Sequence, residues 1–150
     1  MAPPAPDRTT PLGEQLCFAL YAASRAMTSC YRPLLDTLDL TYPQYLVLLV
    51  LWERGDTTVT GIGHELQLET GTLSPLLKRL EAAGMVTRTR RAGDERSVVV
   101  ALTDAGRALE ARAAEAQSHI GPAIGMSRAE IGELRETLHQ LAARLRASSV

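Results

Sequence analysis

Cys17 stands at the head of a series of side chains whose spacing brings their chemistry to one side of a helix. Cys17, Tyr21, Ser24, Thr28 and Tyr31 recur at intervals of 4, 3, 4 and 3 residues, so a helix carries a thiol, two phenols and two hydroxyls in one polar stripe. A cysteine in the first turns of a helix, surrounded by hydroxyl donors, is held as thiolate by the helix dipole and by hydrogen bonds, and the thiolate is the reactive form. The chemistry open to it is oxidation at sulfur. On composition alone the plainer account of Cys17 is a small hydrophobe in an amphipathic helix. Tyr31 follows Cys17 by 14 residues, which is about 21 Å along a continuous helix. It cannot touch its own Cys17, so any service to that thiol must come from a second copy running antiparallel. The other cysteine, Cys30, is about 20 Å from Cys17 by the same rise, whereas a disulfide needs Cα atoms within about 7 Å. An intrachain disulfide is excluded while the helix is unbroken.

A thiol peroxidase is the enzymatic reading of such a cysteine, but no second thiol lies in reach to resolve a sulfenic acid. No charged general acid or base accompanies Cys17 either. The three histidines, His64, His119 and His139, have no ligand spacing. The expectation is a protein that is not an enzyme and needs no cofactor or metal.

A second constellation lies in the middle of the chain. The net charge is -1, yet residues 70–100 carry six Lys/Arg against three Asp/Glu, while residues 1–69 carry four against eight. Between Thr70 and Ala83 the leucines Leu73, Leu76, Leu77 and Leu80 form one buried helical face. Thr70, Gly71, Thr72, Ser74, Pro75, Lys78 and Arg79 are left to the outside. Small hydroxyls at a helix N-terminus approach base edges and phosphates, and the cations a turn or two on suit phosphates. Beyond Gly84 the period changes to two, with Arg88, Arg90, Arg91 and Arg96 crowded around a turn-rich tip of residues 92–95. An arginine-rich hairpin tip suits a DNA minor groove.

The elements that position these groups follow from helix and turn signals. Four prolines in residues 1–11 read as a flexible tail. A helix from Leu12 to about Arg32 is expected to end or kink at Pro33. Thr41 with Gln44 is a capping box, and Gly55 closes an apolar helix. A short helix over about Thr60 to Gln67 precedes the one from Thr70, two strands follow, then a helix near Thr103 that Pro122 interrupts and a last one capped by Ser127 with Glu130. This order predicts a mainly α fold with a small β-hairpin wing, a winged helix-turn-helix with further helices at both ends. Ile131, Leu134, Leu138, Leu141 and Leu145 make a heptad-like seam, as do Leu16, Leu20, Ala23, Met27, Cys30 and Leu34. Two seams at opposite ends of the chain predict a homodimer that meets a pseudo-palindromic double-stranded DNA operator. The longest apolar run, residues 45–52, is far short of the roughly 20 residues that cross a bilayer, so no membrane association and a cytoplasmic location are expected.

Residues 66–102, with Leu-Lys-Arg-Leu-Glu, Gly84-Met85-Val86, Arg88 and Asp94-Glu95-Arg96-Ser97, resemble the MarR family of dimeric regulators. The resemblance implies that the helix from Thr70 enters the major groove and that Arg96, positioned by Asp94, reaches the minor groove. It also implies one MarR-type domain over 12–150, with 12–32 and 104–147 for dimerisation and 43–102 for DNA binding. The runs Leu16-Cys17-Phe18-Ala19-Leu20-Tyr21, Tyr31-Arg32-Pro33-Leu34-Leu35 and Thr41-Tyr42-Pro43-Gln44-Tyr45 are similar to the organic hydroperoxide resistance branch of that family. In that branch the matching cysteine senses peroxide, residues matching Tyr31 and Tyr42 bond it across the dimer, and Tyr21 lies close by. With no cysteine after Cys30, the chain resembles the one-cysteine type. The implied function is a repressor released when an organic hydroperoxide oxidises Cys17, after which a small-molecule thiol caps the sulfur or oxidation continues. The other reading open at this level is a repressor released by a reversibly bound phenolic ligand.

Overall fold

The computed structural model describes residues 1, 8–91 and 97–148. After a short 3-10 turn at Leu12–Glu14 come α1 (Leu16–Asp36), α2 (Tyr42–Arg54), β1 (Thr57–Thr58), α3 (Val59–Leu66) and α4 (Thr70–Ala82). The chain continues through β2 (Val86–Arg90), β3 (Val98–Leu102), α5 (Asp104–Ser118), α6 (Ile120–Ile124) and α7 (Arg128–Ala147). The mainly helical fold with a β-hairpin is thus as expected, with one element added. Thr57 and Thr58 pair antiparallel with Val100 and Val99, which makes the sheet three-stranded in the order β1-β3-β2. Two residues are too few to show a period.

Caps set the helix starts. Thr41 accepts from the Gln44 N–H while the Gln44 side chain accepts from Thr41, and Ser127 with Glu130 does the same for α7. The Ser127 backbone N–H first, and the Ser127 hydroxyl second, hold the Glu130 carboxyl below its ordinary pKa. Pro33 does not end α1 as expected, because the helix runs through it to Asp36. Proline near a C-terminus forfeits one helical hydrogen bond. Leu35, buried to 3% exposure in the core, keeps the last turn in place. The expected long helix from Thr103 stops at Ser118, and Pro122 lies within the separate short α6.

The core sits in the middle of the chain. Leu48 and Leu51 of α2, Ile62 of α3, and Leu73, Leu77 and Leu80 of α4 close over Val86 and Val100 of the hairpin, and all are essentially fully buried. Two close approaches lock its corners. At the α3–α4 turn Leu68 N–H donates to Gly63 O at 2.9 Å, and a Cβ on Gly63 would lie 2.8 Å from the Leu68 carbonyl. At the foot of α5 Trp52 Nε1 donates to Gly106 O at 3.0 Å, tying α2 to α5. By contrast α7 buries no residue and α1 buries only Leu35.

A Cβ at Gly106 would stand 2.2 Å from the Met85 carbonyl oxygen. Gly106→Ala is therefore expected to cost about 1–3 kcal/mol or more by chemical denaturation. At Gly71 nothing lies within 4 Å, so Gly71→Ala is expected to leave stability unchanged or raise it by up to about 1 kcal/mol. Equal losses at the two positions would show that the α5 foot is not tightly packed.

Candidate functional site

Cys17 is the second residue of α1 and is exposed, directly after the cap residue Gln15 and Leu16. Because α1 is unbroken from Leu16 to Asp36, Cys17 and Tyr31 stay at opposite ends of one rod, as do Cys17 and Cys30. Tyr21 is 59% exposed beside Cys17, with the Arg25 guanidinium 5.5 Å from its ring centre. The stripe is less available than its spacing suggests, since the Thr28 hydroxyl already donates to the Ser24 and Arg25 carbonyls of its own helix.

The far end of α1 builds a phenol cluster. Tyr31 meets Tyr42 at 5.2 Å between ring centres, edge to face, and both rings pack on Tyr45 at 5.9 and 6.1 Å. Tyr42 begins α2 and Tyr45 lies three residues on, so one turn of helix presents both rings to α1. Tyr45 was not among the residues singled out from sequence. Its spacing of three from Tyr42 and seven from Trp52 was the signal, hidden because those residues also read as ordinary core. Burial raises the pKa of Tyr31, with a further push from neighbouring Tyr42, and burial likewise raises that of Tyr42. Burial first, and the adjacent phenols second, push Tyr45 up to about 12. All three therefore keep their protons at neutral pH and remain hydrogen-bond donors.

On the opposite side of the core, α3, the left-handed residue Gln67 (φ 57°, ψ 39°) and α4 form a helix-turn-helix. Thr70, Gly71, Thr72, Pro75, Lys78 and Arg79 are exposed and Ser74 is half-buried, while the four leucines face inward. No side chain caps the Thr70 end of α4. Pro75 lies inside the helix, so the Gly71 carbonyl lacks its helical donor. Arg146 of α7 donates to the Gln67 side chain, so the C-terminal helix grips the turn that feeds α4.

The arginines of the hairpin divide into two kinds. Arg90 and Arg91 are exposed, and Arg91 N–H closes the ladder onto the Ser97 carbonyl at 3.0 Å. Arg88 instead turns back on α4, donating from Nη2 and Nε to the two Glu81 carboxylate oxygens at 3.1 and 3.4 Å. That contact holds Glu81 below its ordinary pKa. Arg88, expected to face DNA, ties the hairpin to Glu81 of α4. Asp94 and Arg96 lie outside the described residues. Among the described residues there is no cluster of three or more potential metal ligands, and no helix is long and apolar enough to cross a membrane.

Known proteins are similar to this chain in sequence and fold. The family model of the transcriptional regulator SarA/Rot matches residues 29–112. The organic hydroperoxide resistance transcriptional regulator of Bacillus subtilis (strain 168) is 47% identical over 136 residues, spanning 86% of this chain and 92% of that protein. Reduced AbfR bound to DNA, a protein of Staphylococcus epidermidis, superposes with a TM-score of 0.77 at 39% identity, over 89% of this chain and 94% of AbfR. Disulfide-formed AbfR superposes with a TM-score of 0.66 at 40% identity, over 87% and 92% of the two chains.

Two outcomes are expected. In an alkaline titration followed by tyrosinate absorbance, Tyr31, Tyr42 and Tyr45 deprotonate later than in the unfolded chain. The folded state then holds protons that the unfolded state releases, so stability is fully present below about pH 10 and is lost as pH rises toward 12. A flat stability profile across that window would contradict the cluster's burial. In salt-dependent binding to duplex DNA, Arg90→Ala should reduce the slope of log K against log salt by about 1. Arg88→Ala should leave that slope nearly unchanged, since Glu81 already neutralises Arg88; equal slope changes would place Arg88 on phosphate.

Proposed function

The chain belongs to the MarR-type family of winged-helix DNA-binding transcriptional regulators, and from that premise we propose that it is a homodimeric cytoplasmic repressor that senses organic hydroperoxides through Cys17. The observation that carries the reading is the pair of ends of α1: an exposed thiol at one and a cluster of protonated phenols about 21 Å away at the other. Neither end completes a sensor alone. Two copies crossing antiparallel bring each Cys17 to the Tyr31 and Tyr42 hydroxyls of the other, with Tyr21 nearby.

Dimerisation through residues 12–32 and 104–147 is favoured by what α1 and α7 leave uncovered. Leu16, Met27, Leu134 and Leu138 are 62, 40, 47 and 37% exposed. Leu20, Met27, Leu134, Leu138 and Leu141 line one apolar groove. Exposed apolar patches of this kind mark interaction surfaces. Winged-helix segments 43–102 of the two subunits then meet the half-sites of a pseudo-palindromic operator, α4 in the major groove through Thr70, Gly71, Thr72, Ser74 and Pro75 with Lys78 and Arg79 on phosphates, the hairpin through Arg90, Asp94 and Arg96.

In the sensing step the Cys17 thiolate attacks the terminal oxygen of the hydroperoxide. The O–O bond breaks, the alkoxide leaves and takes a proton as the alcohol, and sulfur is oxidised to sulfenic acid while the peroxide is reduced. A small-molecule thiol then displaces water from the sulfenic acid and forms a mixed disulfide, or further peroxide drives the sulfur to sulfinic acid. The larger or charged group no longer fits beside Tyr31 and Tyr42, α1 and α2 shift, and the recognition helices lose their spacing.

Cys17→Ser is expected to bind operator DNA normally and stay bound when cumene hydroperoxide is added, as read by gel shift. A mixed dimer of Cys17→Ser with Tyr31→Phe subunits keeps one complete site, whereas wild type paired with the double variant keeps none. Release of Cys17→Ser by peroxide, or equal responses of the two mixed dimers, would sink the reading.

A further inference from the structure

Helix α7 reaches the DNA-reading half of the chain through a polar contact. Arg146, in its last turn, donates from Nη1 to the side-chain oxygen of Gln67, 79 residues earlier. Gln67 is the corner of the helix-turn-helix. It takes the left-handed conformation at φ 57°, and its backbone N–H closes on the carbonyls of Gly63 and His64. Glycine and asparagine adopt that conformation at lower cost than glutamine, so the turn alone gives no reason for the longer side chain. The contact with Arg146 supplies one. Its other end is held as well, because Ser148 closes the last turn of α7 by donating its N–H and its hydroxyl to the Arg144 carbonyl at 3.0 and 2.9 Å. The contact borders a cleft of about 690 Å³ between α3, the start of α4 and α7, and Glu69 lines the same cleft. Among the described residues Arg146 takes the neutral amide and forms no ion pair with that carboxylate. Two plainer uses of an arginine there, a DNA phosphate and the C-terminal dipole of α7, need no glutamine.

We propose that Arg146 is a positioning residue for DNA binding, which steadies the first turn of α4 by holding the Gln67 side chain. The buried leucines Leu73, Leu77 and Leu80 fix the body of α4 on the core. Its first turn has no side-chain cap and begins three residues after Gln67, so the corner governs where Thr70, Thr72 and Ser74 point. Base-edge contacts need that precision, whereas phosphate contacts carry no sequence information. The role of Arg146 rests on operator binding and is independent of Cys17.

The test compares full-length variants on two duplexes, an operator selected from random sequence by the wild-type protein and an unrelated duplex of equal length. Arg146→Ala is expected to weaken binding to the selected operator about fivefold to tenfold, as loss of one hydrogen bond does, with affinity for the unrelated duplex and the salt slope unchanged. Gln67→Gly removes the acceptor while suiting the left-handed backbone. It is expected to have the same effect on DNA with a thermal midpoint within about 2 °C of wild type, and the double variant to be no weaker than either alone. A salt slope reduced by about 1 with both duplexes weakened equally would put Arg146 on a phosphate. Additive losses in the double variant would uncouple the two residues, and unchanged selectivity would leave the contact without effect. Each of these results overturns the role of Arg146 alone, whereas failure of the wild type to select any duplex would overturn the operator reading together with it.

Discussion

Helices α1 and α7 are 21 and 20 residues long, yet Leu35 is the one buried side chain between them. Covering a fully exposed leucine or methionine contributes about 1.5–3 kcal/mol, so the exposed parts of Leu16, Met27, Leu134 and Leu138 together represent about 3–6 kcal/mol of uncollected burial. That is a large share of the net stability of an ordinary domain, about 5–15 kcal/mol. On the proposed homodimer a second copy is part of what makes the fold stable, and stability then depends on protomer concentration. The same demand explains the geometry of sensing. A rod straight enough to present a continuous apolar seam is also too long for Cys17 to fold back onto Tyr31, so the surface that needs a partner and the thiol that needs a phenol have one solution.

From the phenols the path to DNA is short. Tyr42 opens α2, and Leu48 and Leu51 further along α2 share one buried core with Leu73 and Leu77 of α4. Close-packed interiors resist continuous deformation, so a displaced α2 moves α4 rather than compressing against it. Three ties keep the motion from dissipating at the edges: Trp52 to the Gly106 carbonyl, Arg112 to the Thr37 carbonyl at the end of α1, and Arg146 to Gln67. The last is notable for what it joins. It runs from the apolar-faced α7 to the turn that leads into α4.

Much of this was legible in the sequence because the signals are local. The capping boxes at Thr41 and Ser127, the leucine face of α4 and the change of period after Gly84 each report on a few neighbouring residues, and the structure has all of them. Proline at position 33 misled because its cost is local while the burial of Leu35 that overrides it is tertiary. Strand β1 was illegible for a related reason, since two threonines acquire strand geometry only by pairing with Val99 and Val100 some forty residues away. At the site, Cys17 and Tyr31 were found by spacing, whereas Tyr45 joins Tyr31 only when α2 folds against α1. The Arg88–Glu81 pair shows the same limit from the other side: a run of arginines states the charge of a hairpin but not which of them has already spent it on a neighbour.

That expenditure bears on how release is achieved. With Arg88 neutralised, the described cations on the outer faces of α4 and the hairpin are Lys78, Arg79, Arg90 and Arg91. The electrostatic part of the affinity of each head scales with the phosphates it neutralises. In the proposed dimer the two heads bind most tightly while both engage, because the second contact is then intramolecular and profits from a high effective concentration. When spacing no longer matches, that advantage is lost entirely. On the proposed mechanism a displacement of α4, rather than the unfolding of a wing, takes the protein off its operator, and the new substituent on the Cys17 sulfur is what drives it.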